Sequence, residues 1–176
     1  MQNINSILLK KILPPVRGIY KFDYPLSKIT WFNVGGPADV VYMPKDMNDL
    51  ICFIQYNKLQ KIDYTVIGAC SNLLVRDSGV QGVVIKLGKE FKTIEYDGLN
   101  ISVGAGALGI QVSRYALVNG IGGFEFLSGI PGTIGGSIYM NAGAYGKEIS
   151  DLLVSVEAVD DEGVVHKIES KDISFS

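Results

Sequence analysis

Gly68-Ala69-Cys70-Ser71-Asn72 follows a short apolar run, Tyr64–Ile67, and its first three side chains are too small to hide the main-chain amides. Successive N–H groups that point one way form a concavity for an anion such as a pyrophosphate, and Ser71 and Asn72 add short hydrogen-bonding groups. No Lys-Ser or Lys-Thr pair follows, which excludes an ATP-type P-loop. A tight turn between two strands is the competing explanation.

Gly129-Ile130-Pro131-Gly132-Thr133-Ile134-Gly135-Gly136 offers a second such run. Pro131 fixes one φ, and Thr133 is placed to cap a helix running through Met140. Amides at that helix start would meet phosphate oxygens or the edge of a flavin ring. The wider stretch Gly122–Gly146 carries eight glycines in 25 residues, yet also Phe124, Phe126, Leu127, Ile134, Ile138 and Tyr139. Linkers lack such apolar groups. Glycine among residues that seek burial signals backbone pressed against neighbouring chain or against a large ligand.

Other motifs carry less. Gly104-Ala105-Gly106-Ala107-Leu108-Gly109 matches G-x-G-x-x-G. A dinucleotide fold requires a second apolar strand ending in an acid, whereas here Gly120-Ile121-Gly122-Gly123 follows and Glu125 sits in a glycine loop. A glycine turn linking strand to helix is the favoured reading. His166 reads as a surface residue with no acid partner in view, Cys52 as core, and Arg76-Asp77 as a turn anchor. No Ser-His-Asp set, paired carboxylates or metal-ligand spacing emerges, so neither a catalytic residue nor a metal site is expected.

These loops must be held by α+β elements. A short helix is predicted around Ile7–Leu13, strands at Ser27–Phe32 and Ala38–Met43, and a helix capped by Asp46 and ending at Leu59 with Met47, Leu50, Ile51 and Ile54 on one face. Strands follow at Tyr64–Ile67 (buried), Leu73–Val75 and Val83–Leu87. After Gly88 come a hairpin of Phe91–Tyr96 and Asn100–Val103 about Asp97-Gly98, then a helix from Leu108 to Asn119 stopped by Gly120. Strands Leu152–Asp160 and Val164–Ile168 join through Asp161-Glu162-Gly163. The first half alternates strand and helix and the second is mostly antiparallel, which suggests two α+β lobes, 1–88 and 89–176.

Composition narrows the class. The 176 residues are 47% hydrophobic and 19% charged, with 16 basic against 18 acidic residues and a net charge of −2. No basic footprint for nucleic acid is present, and no apolar run approaches the roughly 20 residues that span a bilayer. The opening MQNINSILLKKILPP has neither a cationic n-region nor a small-residue cleavage site. With two cysteines and one histidine, a reducing, cytoplasmic setting is the expectation.

One ordered set of segments points to a family. Ser27-Lys28-Ile29-Thr30-Trp31-Phe32-Asn33-Val34-Gly35-Gly36-Pro37-Ala38, then Gly68–Asn72, then Gly129–Gly136, then Met140-Asn141-Ala142-Gly143-Ala144-Tyr145-Gly146 resembles the N-terminal half of the UDP-N-acetylenolpyruvoylglucosamine reductases of bacterial peptidoglycan synthesis. The resemblance runs from about Pro25 to the end of the chain. It implies the FAD-binding fold shared with vanillyl-alcohol oxidase and p-cresol methylhydroxylase, in which two α+β lobes grip FAD. It also implies that Gly68, Ala69, Cys70, Ser71 and Asn72 hold the pyrophosphate. Gly129, Ile130, Pro131, Gly132, Thr133, Gly135, Gly136, Asn141, Ala142, Gly143 and Ala144 would line the rest of the cofactor. The implied reaction uses NADPH to reduce the flavin, which then reduces the enolpyruvyl double bond of a nucleotide sugar. A monomer without nucleic-acid or membrane partners is expected.

Two departures from the family pattern stand out. The phosphate loop of the family usually reads Gly-x-Gly-Ser-Asn, whereas this chain has Cys70 at the second glycine. If that position needs φ > 0, a cysteine costs on the order of 1–2 kcal/mol and crowds the phosphate. The family's catalytic arginine belongs to a Tyr-Arg pair expected just after Ser176, and its catalytic serine and glutamate belong to a C-terminal substrate domain. No residue here matches any of the three, so the expectation is a cofactor half, truncated before the substrate domain and inactive alone.

Overall fold

The computed structural model describes residues 6–175. They form two compact units: residues up to Gly88 together with Asp161–Gly163, and Lys89–Asp160 together with the residues from Val164 onward.

The first unit contains α1 (Ser6–Ile12), β1 (Ile19–Pro25), β2 (Pro37–Met43), α2 (Met47–Gln60), β3 (Tyr64–Ile67) and β4 (Val80–Lys86). Its sheet has the order β1-β2-β4-β3, with β1 antiparallel to β2 and the other two pairings parallel. The inner strands β2 and β4 carry Val40, Val41, Tyr42, Val83, Val84 and Ile85, all buried, as strands covered on both faces require. An irregularity in the β2–β4 register between Ala38 and Val40 shifts the side-chain alternation. As a result Ala38 and Val41 share one cluster with Leu26, Ile67, Cys70 and Val84.

On α2, Asp46 accepts a hydrogen bond from the Asp49 N–H at 2.9 Å, the predicted N-cap. The buried face is Asp49, Phe53, Ile54 and Asn57, so only Ile54 of the predicted face belongs to it. Cys52 is exposed rather than core. The helix is rotated because Phe53 meets the Tyr42 ring at 4.7 Å, while Asp49 is drawn inward by N–H donors from Arg17 (2.8 Å), Gly18 (2.8 Å) and Lys45 (3.0 Å).

Two predicted strands are absent. Residues 27–32 form a short 3-10 turn, Leu26–Lys28, and a bend that leaves Trp31 and Phe32 exposed; the strand is instead β1. Leu26 and Ser27 donate to the carbonyls of Gly36 and Gly35, which folds the segment back as the β1–β2 connection. Residues 73–75 form no strand, and Leu73 and Leu74 are exposed. β3 is a strand as predicted, but as the sheet's edge only its Ile67 is buried.

The second unit contains β5 (Ile94–Tyr96), β6 (Ile101–Val103), α3 (Gly109–Val118), α4 (Ile134–Tyr139), β7 (Gly143–Ala144), β8 (Lys147–Glu148), β9 (Ser155–Val159) and β10 (Val165–Glu169). All three hairpins are antiparallel. At the β5–β6 turn, Asp97 Oδ1 accepts from the Leu99 and Asn100 N–H groups at 2.8 and 2.7 Å. Ala107, Val112, Phe126, Leu127, Ile134 and Ile149 make the core. Three predictions shift here. The Thr133 side chain makes no capping bond and α4 stops at Tyr139. β9 begins at Ser155, since the N–H groups of Leu152 and Leu153 turn back to Ile149 O behind the 3-10 turn Ile149–Asp151. His166 is exposed but not alone: its Nε2 lies 2.6 Å from Asp160 Oδ2. Among the described residues, no helix is long and apolar enough to cross a membrane.

Candidate functional site

In the first unit, residues 68–72 leave the end of β3 as a loop. Cys70 is left-handed, with φ +56°, so the position does carry the strain anticipated for a non-glycine residue. Its side chain is only 4% exposed and packs with Leu26, Ala38, Val41, Ile67 and Val84. The thiol is therefore spent on the core, not on the ligand face of the loop. Burial pushes this thiol up from its ordinary pKa, with the Lys86 ammonium opposing.

The N–H groups of Ala69, Cys70 and Asn72 find no backbone acceptor among the described residues. Three such donors, with no carboxylate in the loop, suit a diphosphate. Lys86 fixes the start of the loop by donating from Nζ to the Gly68 carbonyl at 2.7 Å. Sequence reasoning missed this lysine. Its signal is positional: Lys86 ends β4 in register with Ile67, the residue before the loop. A hollow of about 330 Å³ runs beside the loop, with Ile67, Cys70, Leu73, Leu74 and Arg76 among its walls.

In the second unit, the two glycine motifs lie against each other. Gly109 N–H donates to Gly132 O (3.1 Å), Ile134 N–H to Ala107 O (2.8 Å) and Gly135 N–H to Ala105 O (2.9 Å). Gly104 and Gly106 donate to Thr93 O and Phe91 O. The amides of the G-x-G-x-x-G match are thus largely consumed inside the protein, in line with a structural turn rather than a phosphate cradle.

The 129–136 loop divides by function. A Cβ on Gly135 would stand 3.0 Å from the Ala105 Cβ and 3.1 Å from the Ala105 carbonyl oxygen, so packing favours glycine there, whereas one on Gly129 would meet at 2.9 Å only the ring of Tyr145, an exposed side chain free to swing aside. Gly136 differs: a Cβ there meets only Thr133 Oγ1, at 3.5 Å. The N–H groups of Gly132, Thr133 and Gly136 find no backbone acceptor among the described residues. Gly132, at φ +153°, has a backbone that side chains disfavour. Ile130 N–H, by contrast, is used on Leu127 O.

Residues 141–146 hold two left-handed non-glycine residues, Asn141 (φ +42°) and Tyr145 (φ +57°). Ala142 N–H donates to Ser137 O at 2.8 Å, and Ile149 N–H to Ala142 O, so the segment is tied to α4 and to the residues after β8. Gly143 and Ala144 pair with Glu148 and Lys147. The structure therefore brings together Gly129–Gly136 and Asn141–Ala144 in the second unit, and places Gly68–Asn72 in the first.

Comparison with known proteins agrees with the resemblance. The chain is 52% identical over 167 residues to UDP-N-acetylenolpyruvoylglucosamine reductase of Orientia tsutsugamushi (strain Boryong), covering 93% of this chain and 55% of that protein. It is 48% identical over 164 residues to that of Rickettsia prowazekii (strain Madrid E), with the same coverages. The chain thus spans about half the length of the curated relatives it matches. Among solved structures, UDP-N-acetylenolpyruvylglucosamine reductase (MurB) from Thermus caldophilus aligns with a TM-score of 0.75 and 34% identity, over 92% of this chain and 56% of that one. Cholesterol oxidase from B. sterolicum aligns with a TM-score of 0.64 at 17% identity, over 89% of this chain and 34% of that one, a likeness of fold alone. The expected fold class, the FAD-binding fold of the vanillyl-alcohol oxidase type, is borne out. Residues 38–169 match the FAD binding domain family, and the chain belongs to it.

Proposed function

We propose that this chain is the FAD-holding part of a UDP-N-acetylenolpyruvoylglucosamine reductase, with residues 1–88 and 89–176 as its two lobes. The observation that carries the reading is the coincidence of the ordered motifs with two groups of amides, those of Ala69, Cys70 and Asn72 and those of Gly132, Thr133 and Gly136, that find no backbone acceptor among the described residues. Ala69, Cys70 and Asn72 would bind the diphosphate through N–H groups, with Lys86 orienting Gly68. Gly132, Thr133 and Gly136 would present N–H groups to a second polar edge of the cofactor. Gly129, Ile130, Pro131, Gly135 and Asn141–Ala144 would shape the wall around them.

The bound flavin supplies hydride chemistry between a nicotinamide, NADPH in this reading, and an enolpyruvyl double bond. The chain's own residues contribute binding and orientation: donors held by protein hydrogen bonds need little reordering when the ligand arrives. No residue of this chain is assigned to proton transfer. On this reading the 176 residues bind FAD without reducing UDP-N-acetylglucosamine enolpyruvate, and act in the cytoplasm as a monomer. The burial of the Cys70 side chain among core residues supports this reading over one in which the thiol blocks the diphosphate.

The test is a fluorescence titration of FAD with the purified chain. Saturable quenching at one equivalent is expected, together with no substrate-dependent NADPH oxidation. Absence of saturable binding overturns the proposal.

A further inference from the structure

Asn141, read from sequence as a cofactor-lining residue, has both ends of its carboxamide occupied by protein. Its Nδ2 donates to Glu148 Oε2 at 2.5 Å, and its Oδ1 accepts from the Ser150 N–H at 3.2 Å. Glu148 Oε2 also accepts from Ser150 Oγ at 3.3 Å. Glu148 is held in turn, since its N–H donates to Asp151 Oδ2 at 2.9 Å and its backbone pairs with Gly143. The clamp closes on the residue whose backbone is left-handed at φ +42°, a conformation that costs a non-glycine residue on the order of 1 kcal/mol and persists only where surroundings enforce it.

We propose that Glu148 is a positioning residue for the flavin site. It grips the Asn141 carboxamide and so sets the path of Asn141–Ala144, while Asn141 serves the cofactor through its backbone geometry and not through its side chain. This rests on the FAD reading above. Nothing in the sequence singled out Glu148, because its side chain is exposed and acts over seven residues of chain.

Three properties test it: FAD affinity by fluorescence quenching, the visible absorption band of bound flavin, and amide hydrogen exchange of residues 141–146 without flavin. Glu148→Ala is expected to weaken FAD binding about tenfold, the size of one lost hydrogen bond. It should also alter the flavin band and speed exchange across 141–146. Glu148→Gln keeps an acceptor in place and is expected to stay within about twofold of wild type in affinity, with wild-type exchange. If Glu148→Ala does not fold, Glu148→Asp, one methylene too short to reach Asn141, replaces it with the same expectation. Wild-type affinity and exchange in the Ala or Asp variant overturn the proposal, as does equal loss in the Gln variant. If the wild-type chain binds no FAD, the function above fails, while the exchange measurements still decide whether the clamp exists.

Discussion

Lys86 and Gly68 meet across 2.7 Å, the lysine ammonium donating to the glycine carbonyl at the root of the 68–72 loop. This bond ties the exit of β3 to the last residue of β4, so the loop starts from two paired strands rather than one. Replacing Lys86 by Met keeps the aliphatic stem but removes the donor. A partly buried charged hydrogen bond carries about 1.5 kcal/mol, so FAD affinity is expected to fall about tenfold, with a stability loss near 1 kcal/mol. Titration calorimetry and thermal melting measure the two; unchanged affinity would mean the loop holds its shape without the lysine.

The two cysteines should differ sharply in reactivity. Cys52 is exposed and Cys70 is buried with its thiol pKa raised, first by burial. An aromatic disulfide reagent is expected to titrate one thiol quickly in the native protein and the second only on unfolding. Peptide mapping should place the fast label on Cys52.

Cys70→Gly sets backbone relief against lost burial. Glycine removes about 1 kcal/mol of left-handed strain. It forfeits the buried thiol's contacts and adds unfolded-state entropy, together about 2 kcal/mol. The variant should be less stable by about 1 kcal/mol in chemical denaturation, with FAD affinity within about threefold of wild type because the side chain does not face the loop's amides. A large gain in affinity would show that the thiol does obstruct the cofactor.

Asp49 makes the first unit sensitive to acid. Burial alone would raise its carboxyl, but N–H donors of Lys45, Arg17 and Gly18, with the Tyr42 hydroxyl, more than offset this and hold it below the ordinary carboxylate range. A lowered folded-state pKa contributes stability that is fully present above the unfolded value, about 3.9, and is lost as pH falls through the folded one. Asp49→Asn should cost about 2 kcal/mol near pH 7, since one amide cannot accept from all three donors. The gap to wild type should narrow below about pH 4 in denaturation curves. A gap that is constant with pH would mean the charge is not what the donors hold.

Gly135 and Gly136 are neighbours with opposite reasons to be glycine. Gly135→Ala forces a Cβ onto Ala105 and should destabilise the protein by about 1–3 kcal/mol. Gly136→Ala faces near-open space and sits in α4, where alanine gains up to about 1 kcal/mol. Its melting temperature should hold or rise while FAD affinity drops at least tenfold. Should Gly136→Ala bind FAD like wild type, the 132–136 amides do not face the cofactor.

The sequence by itself determined much that is local. The Asp46 cap, the Asp97-Gly98 turn, the α3 helix stopped by Gly120 and the glycine loops all follow from residue chemistry that acts over three or four positions. It also carried the ordered motifs on which the family resemblance rests. What it could not decide is which apolar runs would be covered. Trp31-Phe32 and Leu73-Leu74 look like buried strands, yet both are exposed, because burial depends on what the rest of the chain brings alongside. Only the tertiary structure turned α2 so that Asp49 faces inward and Cys52 outward, since two of the three N–H donors that draw Asp49 in, Arg17 and Gly18, come from a segment about 30 residues away. It likewise sorted the glycines into Gly135, pressed on Ala105, and those with an open face, a distinction made by neighbours distant in sequence.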